Sequence, residues 1–119
     1  MTSWLLVALG GALGSMARYG AGLASSRLAP DLPAGTLAVN LVGSFLMAVT
    51  VTLAGRGVLP GDARLFLTTG VMGGLTTYSA FNAEALALMS ARPVAGGAYV
   101  AVTVVGCLSA GLCGRALAS

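Results

Sequence analysis

The chain has 119 residues, of which 57% are hydrophobic and 8% charged, with six Arg, no Lys, three acidic residues and no His. Globular chains in water carry about one-quarter charged residues, so this composition excludes an ordinary water-soluble monomer and points to lipid as the solvent. The net charge of +3 comes entirely from Arg18, Arg27, Arg56, Arg64, Arg92 and Arg115. These are scattered singly, whereas a nucleic-acid site needs a clustered basic face, so no nucleic-acid partner is expected.

Between the charges lie four long uncharged runs: Met1 to Ala17, Leu32 to Gly55, Leu65 to Ala83 and Pro93 to Gly114. A membrane-spanning helix takes about 20 mostly apolar residues to cross a hydrocarbon core of about 30 Å. Residues 1–119 therefore read as a single transmembrane unit with four spans, at about 3–24, 35–53, 65–89 and 94–117. Nothing is left over for a soluble domain. A cleavable signal peptide would need a basic segment ahead of its apolar stretch, and Met1-Thr2-Ser3-Trp4 has none.

In span 1, Gly10, Gly14, Arg18 and Gly22 recur every fourth residue. Small residues on one face let another helix approach closely. Arg18, late in the span, either snorkels to the interface or lines a polar vestibule that attracts anions.

The turn from Arg27 to Pro33 holds two prolines and Asp31, and span 2 follows with Thr36, Asn40 and Ser44 on one face at i, i+4, i+8. Those side chains serve either as interhelical hydrogen-bond glue or as the lining of a path for a polar solute. Span 3 carries Gly73-Gly74-Leu75-Thr76-Thr77 in its middle. Paired glycines and paired β-branched residues are poor helix formers, so a helix break is expected there. Backbone freed by a break in lipid must be taken up by protein, water or an ion. Span 4 repeats the stripe with Tyr99, Thr103 and Cys107. Cys107 and Cys113 are turned about 240° apart on a helix, so they read as packing residues and not as a pair.

Four spans with short connections put Arg56, Arg64 and Arg115 on one side and Arg18, Arg27 and Arg92 on the other. The Lys/Arg difference that orients a membrane protein is then zero. Insertion in both directions is expected, and with it an antiparallel, dual-topology homodimer.

No enzyme can be assembled from these parts. There is no His, Asp31 and Asp62 lie in connections, and Glu84 stands alone, so neither an acid–base pair nor a metal-ligand cluster is available. Transport remains. A proton-coupled exporter of the small multidrug resistance type matches the length and span number, but it needs an embedded carboxylate, and spans 1, 2 and 4 have none. A purely structural subunit would explain the glycine faces but not the hydroxyls, amide and weak helix gathered at one depth.

Three stretches, Gly10 to Tyr19, Gly35 to Phe45 and Gly70 to Phe81, in that order and spacing, closely resemble the fluoride-specific ion channel family (Fluc, also called CrcB). The resemblance implies an all-α fold with a break in helix 3 and an antiparallel dimer with two pores. It implies passive export of fluoride across the cell inner or plasma membrane. It also implies a structural, untransported Na⁺ at the dimer centre, held by the carbonyls of Gly73 and Thr76. By match, Asn40 donates its amide to fluoride, Thr77 and Ser79 lie near the path, Arg18 lines the vestibule, and Tyr99 and Thr103 form part of a polar track. Two ring edges face the anion in the family. Phe81 matches the second, and Tyr78 stands where the first is Phe, a departure that leaves a heterodimer with a related subunit as the alternative to a homodimer.

Overall fold

The computed structural model describes all 119 residues, and the chain is helical almost throughout. In order it forms α1 (Thr2–Leu28), α2 (Ala34–Gly55), α3 (Gly61–Leu65), a π-helical segment (Phe66–Met72), α4 (Gly73–Leu75), α5 (Tyr78–Ala91) and α6 (Pro93–Ala118). There are no strands. Two of these helices, α2 and α6, are long and apolar enough throughout to cross a membrane. In α1, 27 residues long, Arg18 interrupts the apolar sequence.

The helix ends follow from local chemistry. The last turn of α1 closes with the Ala29 N–H on the Ser25 carbonyl at 2.8 Å, and Pro30 and Pro33 then bar further helix. The Ser25 hydroxyl accepts the Gly35 N–H at 2.8 Å, which ties the start of α2 to the end of α1. At the other end of α2, Gly57 takes φ +72°, and the N–H groups of Gly57 and Val58 return to the carbonyls of Ala54 and Leu53. This is a Schellman ending, which needs the left-handed conformation that glycine adopts without strain. Pro93 opens α6 at the first-turn position where its missing N–H costs nothing.

Two arginines close the bundle by binding carbonyls. Arg56 donates through Nη1 to the Ala118 carbonyl at 2.5 Å, joining the ends of α2 and α6. Arg92 donates to the Asp31 carbonyl at 2.6 Å and pins the α1–α2 turn to the α5–α6 junction.

The α1 glycine stripe packs on the third segment at backbone distance. A Cβ on Gly10 would lie 2.7 Å from the Phe66 carbonyl oxygen and 2.8 Å from the Gly70 Cα, and one on Gly14 would overlap the Val71 carbonyl oxygen. The stripe thus works as a close-approach face, and it meets the π-helical segment. The interior is small: 16 of 119 residues are buried, while Leu5, Leu9, Leu13, Leu108 and Leu112 are exposed. A folded chain in water does not present large apolar faces of this extent. The long dimension of 46 Å matches a bilayer of about 40–45 Å including headgroups.

Replacing Gly14 with Leu is expected to push α1 off the third segment and cost more than about 3 kcal/mol, since overpacking here meets backbone. Gly11→Ala, with no atom within 4 Å of the added Cβ, should fold as the wild type. Thermal unfolding in detergent compares the two.

Candidate functional site

The third segment loses its helix at Thr76 and Thr77, which are extended (φ −82°, ψ 155° and φ −154°, ψ 126°). Gly73 and Gly74, expected from the sequence to weaken the helix, stay helical in α4. The extended pair is held from α2. The Asn40 Nδ2 donates to the Thr77 carbonyl at 3.1 Å, and the Thr77 N–H donates to Asn40 Oδ1 at 2.8 Å. One amide side chain thus replaces a missing backbone partner on both sides of one residue. The Thr77 hydroxyl caps the next helix by accepting the Ala80 N–H at 3.2 Å.

This clasp has a consequence upstream. In an unbroken helix the Thr77 N–H would serve the Gly73 carbonyl four residues back, and it is diverted to Asn40 instead. The next carbonyl, that of Gly74, accepts from Arg18 Nε at 3.0 Å. The Arg18 guanidinium, late in α1, therefore reaches across to the end of α4 and takes up a carbonyl there. Gly73 itself is exposed.

Between α2, the extended pair and α6 lies a cavity of about 360 Å³. Asn40, Thr76, Thr77, Tyr78, Phe81 and Thr103 all line it, so six of the residues singled out in the sequence meet in one place. Phe81 is buried and stands between two other rings, 5.7 Å from Tyr78 in an edge-on arrangement and 5.3 Å from Tyr99. Tyr78 is 79% exposed, so most of its ring faces out of this subunit.

The other named residues sit differently. The Ser79 hydroxyl lies 3.3 Å from that of Thr77 but on the exposed side. Tyr99 is buried, and its hydroxyl donates to Glu84 Oε2 at 3.0 Å. The Thr76 hydroxyl donates to the Met72 carbonyl at 2.8 Å. Thr103 is the exception: it is 6% exposed, and its Oγ1 is the one buried side-chain polar atom with no hydrogen-bond partner. A buried hydroxyl left unmade costs about 1–3 kcal/mol, so the cavity holds a donor that wants an acceptor.

Ser44 and Cys107 also line the cavity. Their signal in the sequence is the i+4 step from Asn40 and from Thr103. Glu84 and Thr36 form a second polar centre, with the Thr36 hydroxyl donating to Glu84 Oε1 at 2.8 Å. Sequence reasoning misses Glu84 as a site residue because it has no second acid beside it. Its position one turn after Phe81 is the available signal.

A helical chain with its apolar side chains turned outward, and with an amide and several hydroxyls lining a largely apolar cavity at an interrupted helix, defines a small all-α membrane protein. The family model for CrcB-like protein, Camphor Resistance (CrcB), matches residues 5–115, and the chain belongs to that family. It is 55% identical over 114 residues to a protein of Anaeromyxobacter sp. (strain K) named fluoride-specific ion channel FluC, covering 92% of this chain and 90% of the other. Proteins of the same name from Sorangium cellulosum (46% identical; 99% and 95% covered) and from a strain of Thermus thermophilus (52%; 79% and 76%) are also similar. These relatives are named as channels, not as enzymes.

Asn40→Asp tests the clasp. A carboxylate cannot donate to the Thr77 carbonyl, so the variant is expected to lose about 2–4 kcal/mol of stability by leaving that oxygen facing a negative charge. Denaturant unfolding in detergent reads the loss, and an unchanged midpoint would show that the clasp holds nothing.

Proposed function

We propose that this chain is one subunit of a fluoride channel that lets the anion leave the cytoplasm passively, and that it spans the cell inner or plasma membrane four times. The observation that carries the reading is the unpaired Thr103 hydroxyl in a cavity that also holds the Asn40 amide. Fluoride is small and strongly hydrated, so a pore has to replace its water with closely placed donors. The Asn40 Nδ2 has a second N–H beyond the one bound to Thr77, and the Thr103 hydroxyl is free to turn to an anion. The edge of a ring carries the positive end of its quadrupole, which suits Phe81 and Tyr78 to the same task. The family membership and the names of the relatives support this reading.

The channel is a dual-topology antiparallel dimer in this proposal. The outward-facing Tyr78 ring and the exposed Gly73 favour a second copy at the interrupted segment, as does the even division of arginines. A homodimer is the simplest form. The Tyr78 departure keeps a pairing with a related subunit as its alternative, since that ring would face the partner.

A structural Na⁺ fits the residues at the break. Gly73 has lost its intrahelical donor to Asn40, and Thr76 is extended. Na⁺ is a hard cation suited to oxygen ligands, and the Gly73 and Thr76 carbonyls are ligands of that kind. Bound there, Na⁺ would neutralise carbonyl dipoles that lipid cannot satisfy. The residues of this chain prepare the place: Asn40 diverts the Thr77 N–H, and Arg18 occupies the neighbouring Gly74 carbonyl.

Fluoride efflux from liposomes, with chloride as control, should be rapid for the wild type and fall at least about tenfold in Phe81→Ala or Asn40→Ala, the loss of about 1.4 kcal/mol or more of stabilisation in the path. Equal chloride flux defeats the reading. Thr103→Val should also cut efflux while leaving the fold as stable or up to about 1 kcal/mol more so, because an isosteric apolar group relieves an unmade hydrogen bond. Removing Na⁺ should weaken the dimer or slow conduction, and indifference to Na⁺ counts against the Gly73 and Thr76 site.

A further inference from the structure

The C-terminal halves of α2 and α6 carry a feature that the channel reading leaves unused. Between them, from Ala48 and Thr52 on α2 to Cys107 and Arg115 on α6, runs an open groove of about 420 Å³. Its walls include Val51, Leu108 and Leu112, all exposed at this surface of the subunit. Gly111 opens its floor: an added Cβ there would meet only the Ser44 carbonyl oxygen, at 3.9 Å. The Thr52 hydroxyl already donates to the Ala48 carbonyl at 2.7 Å. Inward from Arg115 the groove therefore offers hydrocarbon and no free hydroxyl or amide, which suits an apolar chain and not a hydrated ion.

Arg115 is the only charged residue of the groove. The guanidiniums of Arg18, Arg56 and Arg92 each bind a carbonyl, whereas that of Arg115 is exposed and has no partner within the subunit. It stands in the last turn of a 26-residue spanning helix, where a long side chain reaches the headgroup level. Arg56, held on the Ala118 carbonyl, brings a second positive charge to the same helix ends. Arg64 adds a third at this end of the bundle, against one acid, Asp62. The second copy in the dimer proposal meets the interrupted third segment at Gly73 and Tyr78, so it leaves this groove to the bilayer.

We propose that the α2–α6 groove is a binding site for one anionic phospholipid, with an acyl chain lying between Val51, Leu108 and Leu112 and the headgroup phosphate on Arg115. Basic positions between spanning helices at the membrane edge select anionic headgroups, and a guanidinium can hold a phosphate through two parallel N–H bonds. The acyl chain supplies the apolar contact that the groove lacks in the subunit alone, and its inner end abuts Cys107, which also lines the central cavity. The inference needs the chain to span a membrane and is independent of which ion, if any, it conducts.

Native mass spectrometry tests the site, because it reports bound lipid and the number of subunits in one measurement. Full-length protein in detergent is mixed with equal amounts of phosphatidylglycerol and phosphatidylcholine bearing the same acyl chains. The wild type should retain phosphatidylglycerol in preference, and Arg115→Gln should cut that preference about fivefold, as expected for one arginine lost beside an anionic headgroup. Arg115→Lys, which keeps the charge, should retain most of it. Arg64→Gln removes the same charge from the same end of the bundle but outside the groove, and should behave as the wild type. Gly111→Leu fills the groove and should lower retention of both lipids. A wild type without preference, equal losses in Arg64→Gln and Arg115→Gln, or full retention in Gly111→Leu overturns the proposal. So does a Gly111→Leu protein that loses a subunit, since the groove would then be covered by a second copy and not by lipid.

Discussion

An interrupted helix inside an apolar environment is tolerable only when its loose backbone groups find partners, and in this chain the partner is a single amide. Asn40 both donates to and accepts from the backbone of Thr77, which is what a neighbouring strand would do if there were one. Everything at the site follows from that pairing. The Thr77 N–H leaves the Gly73 carbonyl, Arg18 takes the Gly74 carbonyl, the Thr77 hydroxyl starts α5, and Phe81 is set one turn into that helix, against Tyr99. Without the clasp, the two extended residues would have no reason to stay extended.

The arrangement also depends on α1. Its glycines bring backbone against backbone at Gly10 and Gly70, and this closeness is what lets Arg18, on the same face, reach α4. The π-helical turn from Phe66 to Met72 lies in that contact. A wide helical turn is a common companion of functional sites, and here it immediately precedes the segment whose carbonyls are redirected. Packing and chemistry are therefore coupled along one face of one helix.

Much of this is legible in the residues, and for identifiable reasons. Helices in an apolar chain are marked by the charges and prolines between them, so the turn at Pro30 to Pro33 and the junction at Arg92-Pro93 announce themselves. Stripes with a period of four put Asn40 with Ser44, and Thr103 with Cys107, on faces that do meet. The residues of the interruption are not legible from propensity, because glycines that weaken a helix in isolation are favoured where two backbones touch, as Gly74 does with Gly11. Glu84 is illegible as a site residue for a different reason. Its partners Thr36 and Tyr99 come from helices 48 and 15 residues away in sequence, and no local pattern relates them. The direction of the Ser79 and Tyr78 side chains, outward from this subunit, likewise depends on where an extended pair ends and a helix restarts.

The form of the Asn40 clasp sets an asymmetry in how the two positions can vary. Asn40 contacts the main chain of residue 77 and not its side chain, so any residue at 77 that retains an N–H and can still cap α5, such as Ser, Asp or Asn, keeps both bonds. Position 40 has no such latitude, since only a carboxamide offers a donor and an acceptor side by side at that reach, and Gln would overshoot by a methylene. Sequence drift at the site is thus channelled: the residue that shapes the break is free to change, and the residue that reads it is not.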